Sequence, residues 1–264
     1  MAWQILEGDC IDVMRTLPAE SVDAIVTSPP YAMQRKATYG GVPESEYPAW
    51  TVAWMAEARR LLKPDGSVII NIRPHIRNGQ ISDYTLHTRL ALREHGWCEV
   101  DELIWHKTDA MPTGSRHKPR RAWESLHWFA KHGQPFSDAK ANGVAPVRTD
   151  SKWTSRASRN GWSHDIAGGR SVPSIARVPD VVSMGKGKSG GFDHPAMYPP
   201  ALAEWVGKLI CPQGGTILDP FSGSASTGVA CIRNGWDYIG IEAMPEYAAM
   251  SRKRLAHTEA EQAA

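Results

Sequence analysis

Cysteine is scarce in these 264 residues, and Cys10, Cys98, Cys211 and Cys231 stand far apart with no C-x-x-C pair among them. Neither a disulfide framework nor a zinc site follows, and no metal is expected; a reducing cytosol is the natural setting. Long apolar runs are missing too. No stretch approaches the length of a membrane-spanning helix, and the first residues lack a charged start followed by an apolar signal segment. A soluble, cytoplasmic protein with no membrane partner is therefore expected. There is no internal repeat, and the strand–loop–helix turn at residues 219–228 has neither G-x-G-x-x-G spacing nor a phosphate-loop lysine, so neither pyrophosphate nor ATP is indicated there.

A strong overall charge is also lacking, with 30 Lys and Arg against 28 Asp and Glu. The distribution is uneven, however. Residues 105–190 hold 15 basic against 6 acidic side chains, which leaves 15 against 22 in the rest. A basic lobe on a mildly acidic core suits a polyanionic partner; a solvated basic loop region is the plainer alternative. The length fits one large α/β domain with a smaller insertion.

Strand and helix signals alternate along both ends of the chain. Trp3 to Asp9 reads as a short strand ending in an acid, Cys10 to Leu17 as a brief helix, and Val22 to Val26 as a strand stopped by Pro29-Pro30. A polar loop rich in Gly, Tyr and charge follows. Trp50 to Leu62 has helical spacing, Lys63 to Gly66 reads as a sharp turn, and Ser67 to Ile72 as a strand. Tyr84 to His95 reads as a helix, Val100 to Trp105 as a strand, and Ala122 to Ala130 holds a further apolar run. Periodicity collapses over residues 133–191, an irregular lobe or a partly disordered one. Order returns with a helix over Pro199 to Ile210, a strand over Thr216 to Leu218 and a helix over Ser226 to Arg233. A strand over Tyr238 to Glu242 and a helix over Glu246 to His257 close the series. Such alternation implies a mostly parallel sheet.

Two loops carry the chemistry. Asp219-Pro220-Phe221-Ser222-Gly223-Ser224 joins a strand to a helix; its small residues let the backbone approach a ligand, and the helix start offers free N–H groups. Glu242 ends the next strand, where a carboxylate can accept both hydroxyls of a ribose. The other loop, Thr27-Ser28-Pro29-Pro30-Tyr31, can grip a planar amine: Ser28 offers a hydroxyl acceptor, the prolines stiffen a backbone whose carbonyls stay available, and Tyr31 can stack on a base.

The first loop resembles the D-P-F-x-G-S-G cofactor motif of S-adenosylmethionine-dependent DNA amino-methyltransferases, departing from it at Ala225 and Ser226, where a Gly-Thr pair is common. The second resembles the S-P-P-Y signature of N4-cytosine methyltransferases, and Ala32 to Lys36 looks like its continuation. The order of the two, catalytic loop first, resembles the permuted β class. The resemblance implies a Rossmann-like, mostly parallel α/β sheet of the methyltransferase type with an inserted recognition lobe. It implies S-adenosyl-L-methionine as cofactor, with Glu242 on the ribose, Asp219 near the methionine end and Phe221 against the adenine. Asp9 and Cys10 would come next along the cofactor, although an Asp after a strand is otherwise a helix cap. His194-Pro195 resembles the segment that closes over the methionine carboxylate, and Trp105-His106-Lys107 the strand that flanks the target base.

Ser28, Pro29, Pro30 and Tyr31 are thus the expected catalytic residues. The exocyclic amine is a poor nucleophile, which an enzyme must hold in line with a methyl sulfonium. Arg116, Lys118, Arg120 and Arg121 form a basic cluster suited to phosphate, joined by Arg35 and Lys36; Arg156 and Arg159 lie in a run that interleaves cations with tryptophan. The expected division is a catalytic half over 1–132, a target-recognition region over 133–191 and a cofactor-binding half over 192–264. The expected partner is double-stranded DNA, with a cognate restriction endonuclease, in a prokaryotic or phage-encoded system, the chain being a monomer or weak dimer. An adenine-N6 enzyme on the same scaffold is the first alternative, and a non-catalytic DNA-binding module the second. Cytosine-C5 chemistry does not fit, because the one adjacent Cys and Pro, Cys211-Pro212, precede the cofactor strand.

Overall fold

Three apolar segments form the centre of an eight-stranded sheet in the computed structural model, which describes residues 2–33, 41–111, 117–143, 175, 177–186 and 198–263. They are β2 (Val22–Thr27), β3 (Leu62–Ile72) and β9 (Thr216–Asp219). Outside β9 lie β10 (Asp237–Glu242) and β1 (Trp3–Glu7); outside β3 lie β7 (Trp123–Ala130), β6 (Cys98–Lys107) and β8 (Val181–Met184). From β1 through β3 every neighbouring pair is parallel, and β7 alone runs against its neighbours β3 and β6. The mostly parallel sheet is as the alternation of elements implied. A separate two-stranded hairpin joins β4 (Ile76–Arg77) to β5 (Gln80–Ile81).

Strand periodicity sorts the core onto two faces. Ala24, Val26 and Ile217 point to one side, where they meet α4 (Pro200–Ile210), α5 (Ser226–Asn234) and α6 (Pro245–Ala263) through Val206, Val229 and Leu255. Ile25, Val68 and Leu218 point to the other, against α1 (Cys10–Thr16), α2 (Tyr47–Leu61) and α3 (Tyr84–Glu94) through Met14, Trp54 and Leu92. Burying each such aliphatic side chain contributes about 1.5–3 kcal/mol. Close approach of α5 to β10 depends on Gly228, where an added Cβ would sit 2.6 Å from a Tyr238 ring carbon.

Two local expectations are corrected. Lys63 to Gly66 does not end one element and start another; it is a bulge inside β3, whose register jumps from Val22↔Leu62 to Ala24↔Ser67. Lys63 Nζ reaches the Asp23 carboxylate at 2.9 Å and ties the bulge down. The first strand stops at Glu7, because Asp9 caps α1 through Ile11 N at 2.9 Å and Asp12 N at 3.3 Å. In the expected recognition lobe, β8 pairs with β6, and Asn142 bonds to the Trp205 carbonyl at 2.7 Å, so both ends of that segment lie against the core.

The chain leaves β9 toward β10 on one side and leaves β2 toward β3 on the other. The gap between the carboxyl ends of β9 and β2 is therefore the topological switch point, where open α/β sheets bind ligands. Among the described residues no helix is long and apolar enough to cross a membrane.

Candidate active site

Asp219 closes β9 and is 1% exposed. Its Oδ1 accepts from Thr27 Oγ1 at 2.6 Å and Phe221 N at 3.1 Å; its Oδ2 accepts from Thr227 Oγ1 at 2.9 Å and Tyr198 Oη at 3.1 Å. Burial pushes this carboxyl above its ordinary range, and the four donors oppose that shift. Both oxygens are thus committed to the protein, and the side chain shapes the loop around it. Ser222 N bonds to the Ile241 carbonyl at 2.9 Å, and Ser222 Oγ meets Tyr238 Oη at 2.9 Å. Ser224 Oγ accepts from Arg254 at 3.1 Å. Pro220 is buried, while Phe221 is half-buried against Trp54 and Trp50, with ring centroids 5.3 and 5.5 Å apart.

Gly223 and Ala225 take the positive φ values 53° and 57°. That explains why glycine is common at the position Ala225 occupies in the motif: the left-handed region costs an L-residue about 1–2 kcal/mol. Ser226 then opens α5, whose first N–H groups face the loop.

Glu242 ends β10 and is 3% exposed. Gly223 N donates to Oε2 at 2.8 Å and Met244 N to Oε1 at 2.9 Å. Burial raises its pKa, which these backbone donors counteract. Each oxygen keeps a second lone pair, the acceptor set that a vicinal diol needs. The last strand meets the first here: Glu242 pairs in register with Glu7, and Gly8 N bonds to its carbonyl at 3.0 Å. Asp9 and Cys10 consequently stand at the neighbouring strand end. Asp9 is the helix cap described above, and the Cys10 thiol is pushed up to about 12 by burial, so it stays protonated. Glu242, the Phe221 ring and the small-residue backbone fit a nucleoside-containing cofactor.

Thr27 leads straight into the amine-gripping loop. Ser28 is half-buried and Pro29 buried. The Pro30 carbonyl accepts from Tyr47 Oη at 2.9 Å, which anchors the loop to α2. Tyr31 Oη donates to Glu124 Oε2 at 3.1 Å. Burial and the Glu124 charge push the phenol well above its ordinary pKa, so it remains a donor.

Glu124 also pairs with Lys107, both being 7% exposed, and lies 3.6 Å from Arg73. Burial pulls the Lys107 ammonium down, against the pull of Glu124. Register explains the meeting: β7 runs backwards, so its start faces the end of β3 at Ile72↔Ser125 and the end of β6 at Trp105↔Glu124. Sequence reasoning set Thr27 in the amine-gripping loop but gave it no role, and it gave none to Glu124, Tyr198 or Thr227. Tyr198 belongs to the segment that begins at His194 and Thr227 follows the cofactor loop, while Glu124 carried no signal.

Of the basic cluster, Lys118 and Arg120 are exposed; Lys118 Nζ donates to the Gly79 carbonyl at 2.8 Å and Arg120 to the Ala110 carbonyl at 3.2 Å. Arg121 is half-buried, its pKa lowered by burial and by Arg73. Arg35, Lys36, Arg116, Arg156, Arg159, His194 and Pro195 lie outside the described residues.

The family described as DNA methylase, N6_N4_Mtase, matches residues 22–253, which span both loops and everything between them. The chain belongs to this family. It is 27% identical over 278 residues to the Type II methyltransferase M.PvuII of Proteus hauseri, across 94% of this chain and 82% of that one. To the Type II methyltransferase M.XycI of Xanthomonas campestris pv. cyanopsidis it is 26% identical, across 95% and 87%. A solved structure of PvuII DNA methyltransferase, described as cytosine-N4-specific, shares the fold with a TM-score of 0.75 at 22% identity, over 99% of this chain and 92% of that one. So does a putative DNA modification methylase of Thermus thermophilus complexed with S-adenosyl-L-methionine, with a TM-score of 0.65 at 22% identity, over 98% and 96%. This chain is a DNA methyltransferase that uses S-adenosylmethionine.

Proposed function

We propose that the chain transfers a methyl group from S-adenosylmethionine to the N4 amine of cytosine in duplex DNA, after flipping the base out of the helix. The observation that carries this reading is the 2.6 Å bond between Thr27 and Asp219, which holds Ser28 beside the cofactor loop. In this reading Glu242 accepts the ribose hydroxyls, Phe221 lies against the adenine with Asp9 and Cys10 beyond it, and His194-Pro195 covers the methionine carboxylate. Asp219, Pro220, Ser222, Gly223 and Ser224 form the cradle. When bound, the cofactor supplies the methyl sulfonium that the amine attacks. Ser28 Oγ and the Pro29 carbonyl accept hydrogen bonds from the cytosine amine and aim its lone pair, while Pro30 keeps the loop stiff and Tyr31 stacks on the ring.

Cytosine is favoured by Ser28, a neutral acceptor, and by the similarity to a methyltransferase described as cytosine-N4-specific. Arg35, Lys36, Arg116, Lys118, Arg120 and Arg121 take the DNA backbone. The region 133–191, with Arg156 and Arg159, reads the sequence between the halves 1–132 and 192–264. The setting is a prokaryotic or phage cytoplasm, with a restriction endonuclease of the same specificity, and a monomer or weak dimer as the working unit. Mass spectrometry of digested DNA from a host expressing the protein tests the target atom: N4-methylcytosine is expected. N6-methyladenine as the sole new base would overturn the assignment.

A further inference from the structure

The hairpin β4–β5 plays no part in the site described above, yet it stands on the same lip of the sheet. It rises from the carboxyl end of β3, the strand beside β2, which leads into Ser28. Its turn is Asn78-Gly79, both with positive φ, 51° and 77°, the signature of a tight two-residue turn. Ile76 and Ile81 face each other across it and are 46% and 59% exposed. Two strands this short are not stable unaided.

The foot is clamped instead. Ser82 N bonds to the His75 carbonyl at 3.0 Å, Glu44 takes both His75 Nε2 and Ser82 Oγ at 2.7 Å, and Tyr84 Oη donates to the Arg73 carbonyl at 2.8 Å. Lys118 grips the tip through the Gly79 carbonyl at 2.8 Å. A stiffly held ribbon thus presents to solvent an isoleucine pair on the rung next to its foot, with Arg77 and Gln80 and the Asn78-Gly79 turn beyond it. Arg77 stands on the hairpin, 3.7 Å from Glu44; Arg73 lies at its foot, 3.6 Å from Glu124; and Lys118 holds its turn. The acids nearest the foot are Glu44, held by His75 and Ser82 and paired with Arg77, Asp83, which follows Ser82 in the chain, and Glu124, held by Lys107.

We propose that this hairpin is a wedge that enters duplex DNA beside the target base. Ile76 and Ile81 take the space of the extruded cytosine in the stack, and Arg77 and Lys118 meet the flanking phosphates. The inference rests on the reading that the chain methylates a flipped base. Charge complementarity selects DNA as the occupant: exposed apolar side chains with Arg77 and Lys118 on the same hairpin suit a base stack edged by phosphates, and isoleucine is among the residues that unstack base steps.

The test is the Ile76→Ala, Ile81→Ala double variant in single-turnover methyl transfer, on a duplex carrying the recognition site found by modified-base sequencing of host DNA. Both residues are exposed, so the melting temperature and cofactor affinity should match the parent. Transfer should be at least about tenfold slower on the paired duplex. It should return to within about threefold of the parent when the nucleotide opposite the target is abasic, because the helix then no longer resists opening. A parental rate on the paired duplex, or equal slowing on both substrates, would overturn the wedge. So would a loss that tracks dissociation of a dimer in sedimentation, since the isoleucines would then belong to a contact between copies. Absence of methyl transfer by the parent would instead overturn the proposed function, and that result precedes any substitution.

Discussion

Thr27 donates its hydroxyl to Asp219 at 2.6 Å across 192 positions of chain, joining the last residue of β2 to the last residue of β9. The bond spans the switch point of the sheet and fixes the spacing between the two functional loops. A buried carboxylate is tolerable only with such partners, because stripping water from a charge costs several kcal/mol. Removing this one donor should therefore disturb both stability and function. Thr27→Val, which keeps the shape, should lower the unfolding free energy by about 1.5–3 kcal/mol in urea titration and weaken cofactor binding. A variant with parental stability and parental cofactor affinity would show that Asp219 does not need this bond.

Glu242 links cofactor binding to pH. Its pKa lies above the ordinary 4.5 because of burial. Above that raised value the ionised carboxylate costs the folded state some stability, and the cost is relieved as pH falls through it. Binding moves the other way, since a protonated acid loses acceptor capacity. Cofactor affinity in calorimetry should decline on acidification before an ordinary Glu would titrate. Glu242→Ala should weaken it at least about tenfold at neutral pH. An affinity that stays flat down to the ordinary Glu range would remove Glu242 from the ribose.

Tyr31 separates two contributions. Tyr31→Phe keeps the ring and loses the hydroxyl bond to Glu124, so methyl transfer should fall modestly. Tyr31→Ala also loses the stacking surface, worth about 1–3 kcal/mol per base, and should be slower by a further factor of about ten. Cofactor affinity should stay near the parent value in both. Equal rates for the Phe and Ala variants would mean that the ring does not stack on the substrate.

Lys118 and Arg120 test the basic edge. Each substitution to Ala should weaken DNA binding across sequences and reduce the slope of log affinity against log salt by about one. Both side chains also bond to backbone carbonyls. Melting temperatures therefore need to be compared alongside. An unchanged salt slope in a fully folded variant would mean that the residue does not neutralise a phosphate.

Most of the strands, the helices and both functional loops were legible in the amino-acid order alone, because each is a local signal. Val22 to Thr27 is apolar and stopped by proline, and Asp219 to Ser224 combines a strand end, small residues and a helix start within a few positions. Glu242 could be placed as a strand-end acid in the same way. What tertiary structure decided was the pairing between distant segments. Asp9 stands next to Glu242 only because β1 pairs in register with β10. Glu124 meets Tyr31 across 93 positions only because β7 runs antiparallel, a direction that the apolar run from Ala122 to Ala130 does not encode by itself. The hairpin at Ile76–Arg77 and Gln80–Ile81 was invisible for another reason. Two-residue strands are too short to show a period, and they persist here because Glu44, Tyr84 and Lys118, from three other segments, hold them.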